Sequence, residues 1–199
     1  MNTIKLYGPR EGSSLRGHWA LAEAGLEYQS TEVPREVRKQ PEFLAINPMG
    51  QVPALIDGDV VLAESLAIAH YVIKKYKPEL LGNPTEEAQA LRWSVWGFLN
   101  PQRSFLDLAR QKWNNTNDEV AIAKAKEELE KSLPILDAWL TTHHYITGDT
   151  FTFGDISVGV TISYSAFWGF DYSVYKNIVR WMSEVTTRPA YLKAKGTEA

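Results

Sequence analysis

The chain contains no cysteine. That absence excludes disulfides, thiolate metal sites and every mechanism in which the protein itself supplies a thiol. No apolar run is long enough to span a bilayer, and Met1-Asn2-Thr3-Ile4-Lys5 leads straight into a strand pattern rather than a signal peptide. A cytoplasmic protein with no membrane partner is therefore expected. Positive charge is not in excess either: the net charge is −3 and there are no long basic runs, so nucleic acid finds no electrostatic footprint. His18 and His70 sit on helical stretches without metal-ligand spacing, and His143-His144 reads as a solvated pair near a helix end, so no metal is assigned. Repeats and low-complexity segments are also missing.

What is present is enough chain for a real core: 199 residues, 44% apolar, with seven tryptophans and nine tyrosines. Thr3 to Tyr7 reads as a strand ended by Gly8-Pro9, Leu15 to Ala24 as a helix with Gly25 as its left-handed cap, and Leu26 to Val33 as a second strand. This is a βαβ unit with an expected parallel pairing. After a charged connection over 35–40 and a short helix over 41–46 comes Asn47-Pro48-Met49-Gly50, which is turn chemistry. Gln51 to Ile56 and Val60 to Ala63 read as strands, and Glu64-Ser65 heads an apolar helix through Tyr76. The expected division is a mixed α/β domain over 1–77, a linker over 78–84 and an all-helical domain over 85–199.

The helical half carries sharp signals. Asn83-Pro84-Thr85-Glu86 is an N-cap, a proline at the first helical position and a glutamate at the third. The helix behind it is expected to run to about Trp113, kinked at Pro101. Asp118 to Leu140 is amphipathic, with Pro134 inside it and no local pattern to explain it. Thr152-Phe153-Gly154-Asp155 is a capping box, and the helix behind it, from Ile156 to Phe170, contains no charged residue, as expected of a helix buried on all sides. Val174 to Val185 forms a further amphipathic helix, and Arg188-Pro189 introduces a short polar tail.

The segment from Asn47 to Ser65 is where chemistry concentrates. Pro53 near the start of a strand removes a ladder hydrogen bond, which is tolerated at a sheet edge or at a special turn, and Val52-Pro53 is predicted to be cis. Val52 would then turn its N–H and C=O outward to pair with a peptide laid alongside. A few residues on, a helix start with free N–H groups and a serine makes an anion socket. The alternative reading is a plain hairpin followed by a capped helix.

These stretches resemble the glutathione transferases, and the likeness spans essentially the whole chain. Gly12-Ser13-Ser14-Leu15, His18 to Leu26, and Phe43 to Leu55 are most similar to the bacterial beta class, while Thr152 to Asp155, Arg180-Trp181 and Arg188-Pro189-Ala190 match C-terminal signatures of the family. The resemblance implies a thioredoxin-like N-terminal domain, an all-helical C-terminal domain and a homodimer. It implies glutathione as co-substrate, with no further cofactor, and conjugation to small hydrophobic electrophiles. Val52, after Gln51 and before Pro53, would pair with the cysteinyl backbone; Glu64 and Ser65 would hold the γ-glutamyl end; Gln51, Arg38 and Lys39 would face the glycine end.

Conjugation needs the glutathione thiol, which ordinarily titrates near ~8.5, as a thiolate at neutral pH. Lowering it by about two units requires roughly 2.7 kcal/mol of preference for the anion. One hydroxyl donor and the N-terminus of the first helix would supply that. Ser13 stands where the beta class has cysteine; it cannot form a mixed disulfide but can donate to a thiolate. Ser14 and Tyr7 are the other candidates. The alternative for the serines is simple N-capping, and for Tyr7 a buried ring. Pro9, Arg10, Trp96, Asn100, Arg103, Tyr164, Phe167 and Trp168 are the expected electrophile lining. Two other functions compete: a binding or protein-interaction module without turnover, and a glutathione-dependent disulfide or peroxide reductase in which glutathione supplies all the sulfur.

Overall fold

The computed structural model describes residues 3–197. Two compact units are formed, one from the residues up to Leu81 together with those from Thr187 onward, the other from Gly82–Thr186. The boundary after Leu81 falls inside the expected linker. The other boundary was not anticipated, because the last residues of the chain belong to the first unit rather than to the helical one.

The first unit is built on a four-stranded sheet of β1 (Ile4–Tyr7), β2 (Tyr28–Thr31), β3 (Ala54–Asp57) and β4 (Val60–Ala63), in the order β2-β1-β3-β4. β1 pairs parallel with β2 and antiparallel with β3, and β3 pairs antiparallel with β4. α1 (Leu15–Glu23) makes the crossover between the parallel strands, and α2 (Pro41–Leu44) and α3 (Ser65–Tyr76) follow. This is the βαβ-ββα order expected of a thioredoxin-like domain. β3 is an interior strand, so an edge position does not explain Pro53; it lies one residue before the strand begins, where no ladder N–H is required of it. α1 comes close to its neighbours because Gly17 has no side chain: a Cβ there would stand 3.1 Å from a Leu6 methyl carbon and 3.3 Å from one of Ile68. At the far end of β3, Asp57 Oδ2 accepts from the Tyr71 hydroxyl (2.7 Å), Lys75 Nζ (2.7 Å) and the Tyr76 hydroxyl (2.8 Å), which ties α3 to the sheet.

The tail after Arg188 is a helix, α9 (Pro189–Lys195), where the sequence marked only a short tail that ends polar. Its signals are proline at the first helical position and Gly196 in the left-handed conformation just past its end. It packs on α1: the Tyr191 ring meets Trp19 edge-on at 4.8 Å, and Lys193 Nζ donates to Glu27 at 3.0 Å.

The second unit is all helical: α4 (Pro84–Leu99), α5 (Pro101–Trp113), α6 (Glu119–Trp139), α7 (Phe153–Trp168) and α8 (Lys176–Thr186). The capping boxes at Asn83/Glu86 and Thr152/Asp155 are both formed. Pro101 breaks the expected kinked helix into two: Asn100 leaves the helical region and Pro101 becomes the first residue of α5, the position at which a missing N–H costs least. Pro134 sits inside α6 on its exposed side, where water can satisfy the carbonyl one turn back. α7 is buried from Phe153 to Ser165 apart from the half-buried Ser163, and emerges at Ala166. No helix among the described residues is long and apolar enough to cross a membrane.

Candidate functional site

The Asn47–Val52 loop is shaped by its own side chains. Asn47, 1% exposed, accepts the Met49 N–H on Oδ1 (3.1 Å) and donates from Nδ2 to the Gln51 carbonyl (2.7 Å). Gly50 has φ +61, and a Cβ on it would stand 2.8 Å from the Arg38 carbonyl oxygen and 3.0 Å from Lys39 Nζ. Lys39 Nζ in turn donates to the Met49 carbonyl at 3.5 Å. The structure therefore brings the 38–39 turn against the loop that ends in Gln51, while Arg38 Nε is engaged by the Val33 carbonyl at 2.9 Å.

The Val52-Pro53 bond is cis, as expected. Gln51 is exposed and Pro53 buried. The Val52 side chain packs with Tyr7 and Ile46 on a buried cluster of Val33, Phe43 and Ala54. Among the described residues, neither the N–H nor the carbonyl of Val52 enters a backbone hydrogen bond.

Glu64 stands at the head of α3 with φ 65 and ψ 115, a sparsely populated conformation for a residue with a side chain. It points its exposed side chain away from the core, while its carbonyl starts the helix by accepting the Ile68 N–H at 2.9 Å. Ser65 behind it is 3% exposed, and its hydroxyl accepts from Nη1 of the fully buried Arg16 at 3.4 Å. A helix N-terminus with a buried cation beneath its first residue favours a carboxylate. Local sequence patterns gave no sign of Arg16; its signal is a charged residue in a helix whose positions from Leu15 to Leu21 are all buried.

The three candidate hydroxyls differ in setting. Tyr7 is half-buried, its ring edge-on to Phe43 at 6.1 Å. Ser13 and Ser14 belong to the 3-10 turn Gly12–Ser14 that leads into α1. Ser14 occupies the cap position of α1 without making a side-chain cap bond, so the capping alternative does not account for it. Ser14 is 1% exposed and lies against Gly8: a Cβ on Gly8 would collide with Ser14 Oγ and come within 3.2 Å of Val52 Cβ. Ser13 is half-buried and retains access.

Behind this turn lies a polar chain that motif reading missed. His18, fully buried, faces the Gly8 carbonyl through Nε2 at 3.2 Å and the Tyr28 hydroxyl through Nδ1 at 2.8 Å. A carbonyl only accepts, so Nε2 carries the proton and Nδ1 accepts from Tyr28. Burial, together with the nearby Arg10 charge, pushes the imidazole down to about 4 and keeps it neutral.

The residues expected to line an electrophile site divide between the units. Pro9 is half-buried in the first. Arg10, also there, has a place the sequence did not suggest: Nη1 donates to the carbonyls of Lys193 and Ala194, both at 3.1 Å, so the guanidinium caps the C-terminal end of α9. In the helical unit, Trp96 meets Trp93 edge-on at 5.0 Å, and Asn100 turns its amide back onto the Trp96 carbonyl at 2.8 Å. Asn100 and Arg103 line a cleft of about 400 Å³ between α5 and α6, with Leu99, Asp107, Arg110 and Lys124. Trp96, Tyr164 and Trp168 do not line that cleft: Tyr164 is buried, and Trp168 stands edge-on to Trp113 at 5.2 Å. The Phe167 side chain lies outside the described residues.

Comparison with known proteins follows this division. Residues 2–74 match the family profile described as glutathione S-transferase, N-terminal domain, and residues 94–189 that of glutathione S-transferase, C-terminal domain. The chain is 35% identical over 206 residues to glutathione S-transferase 1 of Zea mays, covering 97% of this chain and 96% of the relative. It is 36% identical over 166 residues to glutathione S-transferase 3 of Zea mays, covering 78% and 75%. A solved structure of glutathione S-transferase-I bound with lactoylglutathione superposes with a TM-score of 0.88 at 30% identity, covering 99% of this chain and 100% of that one.

Proposed function

The chain belongs to the glutathione S-transferase family and is a glutathione transferase, and from that premise we propose that Ser13 activates the thiol of a glutathione docked along Val52. The observation that carries the assignment is the main chain of Val52, which is without a hydrogen-bond partner among the described residues, in the same segment as the Glu64-Ser65 helix start. The cysteinyl backbone pairs with Val52, the γ-glutamyl carboxylate takes the start of α3, and Gln51 and Lys39 face the glycine carboxylate. Arg38 supports the loop through its bond to Val33.

Of the three hydroxyls, Ser13 alone is neither buried nor set in the ring cluster. It donates to the sulfur, and the first turn of α1 adds its dipole, so that the thiol loses its proton to solvent and the thiolate forms a carbon–sulfur bond with the electrophile, an aryl halide releasing its halide ion. Without a cysteine the protein forms no mixed disulfide, which favours conjugation over thiol exchange. The opening helix resembles the bacterial beta class with serine at its cysteine position, whereas the relatives above are maize proteins; the serine reading does not depend on the class. Small hydrophobic electrophiles, homodimer assembly and a cytoplasmic role in detoxification complete the proposal.

The test is a thiolate absorbance titration of bound glutathione together with turnover of an aryl halide. Ser13→Ala is expected to raise the thiol by about two units and lower kcat about a hundredfold at neutral pH. A Ser13→Ala protein that titrates like the parent, with the loss appearing in Ser14→Ala or Tyr7→Phe instead, overturns the choice.

A further inference from the structure

The thiol-activating turn is not an isolated loop. Gly8 is the residue on which it rests, since Ser14 Oγ lies where a Gly8 side chain would be. Gly8 is fixed on two sides, by its N–H to the Thr31 carbonyl at 2.8 Å and by its carbonyl to His18 Nε2 at 3.2 Å. The first bond merely continues the pairing of β1 with β2. The second comes from a fully buried imidazole on α1, the helix whose first turn is assigned to the sulfur under the proposed function.

Behind His18 the chain of donors runs outward. The Tyr28 hydroxyl donates to Nδ1 at 2.8 Å, and Arg10 Nη1 donates to that hydroxyl at 3.3 Å while holding the last carbonyls of α9. The links join separate elements, from 10 to 184 residues apart, and Arg10 Nη1 is shared among three acceptors. We propose that His18, with Tyr28 and Arg10 behind it, is a positioning residue for thiol activation: it fixes the Gly8 carbonyl, and through the Gly8–Ser14 contact the turn that presents Ser13, in a place set by the docked C-terminal helix. This rests on the Ser13 assignment above. Being neutral, His18 adds no charge at the sulfur; its whole effect is where the hydroxyl and the helix start stand, and a misplacement of about 1 Å is enough to cost catalysis.

The experiment compares the parent with His18→Leu, His18→Gln and Tyr28→Phe, reading the thiolate titration of bound glutathione and the separate kcat and KM. In His18→Leu the titration midpoint rises and kcat falls about tenfold, while KM for glutathione stays within about twofold because Val52 and Ser65 lie on other elements. His18→Gln, whose amide can still donate to Gly8, recovers most of the loss, and Tyr28→Phe falls between. A merely structural role would lower the melting temperature without separating Gln from Leu in the titration. A folded His18→Leu that titrates and turns over like the parent overturns the proposal. Where His18→Leu does not fold, Tyr28→Phe decides: a raised midpoint supports the role and an unchanged one overturns it. The two readings fail separately. An effect of His18→Leu without one of Ser13→Ala tells against the serine and for His18, and the reverse tells against His18 alone.

Discussion

Arg188 closes a two-pronged ion pair on Glu23 across 165 residues of chain, Nε to Oε1 at 2.7 Å and Nη2 to Oε2 at 2.8 Å. Trp19 Nε1 donates to the same carboxylate at 3.0 Å. The Glu23 side chain is 7% exposed and that of Arg188 32% exposed, so the pair is largely out of water. Arg188 is also the cap residue of α9, where a lone cation would oppose the helix dipole; the carboxylate of α1 reverses that.

Arg188→Ala is accordingly expected to cost about 2 kcal/mol, since it leaves a nearly buried carboxylate with one donor. Arg188→Lys recovers only part, because an ammonium cannot span both oxygens. Hydrogen exchange should show the loss in α9 and the end of α1. Unchanged protection of α9 in Arg188→Ala would mean that Trp19–Tyr191 packing alone holds the helix.

Acid pulls on the two units in opposite directions. Burial holds His18 at about 4 against 6.5 in the unfolded chain, so its contribution is complete above pH 6.5 and is lost as pH falls toward 4, by about 3 kcal/mol. Asp155 in the helical unit is fully buried and pushed up to about 6 from 3.8, although Ile146 N–H, Thr152 and Trp181 Nε1 donate to it. Its contribution is present below pH 3.8 and is lost as pH rises through 6. Denaturation followed by exchange in each unit should therefore show His18→Gln flattening the acid loss of the first unit and Asp155→Asn flattening the opposite slope of the second. Parallel pH profiles in parent and variants would contradict both shifts.

Glu64 holds a backbone conformation that costs a residue with a side chain about 1–3 kcal/mol. Glycine has no Cβ to clash there, so Glu64→Gly should stabilise the first unit by about 1 kcal/mol while weakening glutathione binding about tenfold, because the side chain proposed for the γ-glutamyl end is gone. Thermal melts and calorimetry with glutathione check the two halves. A Glu64→Gly protein that binds glutathione like the parent would remove this residue from the site.

Much of the fold and part of the site were legible because they are local. The two capping boxes, the Asn47 turn, the cis proline and the helix start at Glu64-Ser65 each follow from a few neighbouring residues whose side chains satisfy their own backbone. The break at Asn100 was legible as a perturbation but not in kind, since a kink and a stop differ only in where the neighbouring helices pack. The bonds of Arg10 to α9 were not legible for a related reason: nothing around Gly8-Pro9 tells that its guanidinium meets carbonyls 183 and 184 residues away.

By itself the sequence determined the βαβ-ββα order, the Asn47 turn and the helix start at Glu64-Ser65, because hydrogen-bonding capacity and backbone preference are written residue by residue. Only the tertiary structure decided which serine stays accessible, that the last helix joins the first unit, and that His18 looks at Gly8. Those follow from burial and from partners brought together by packing, and no periodicity within a single helix records them.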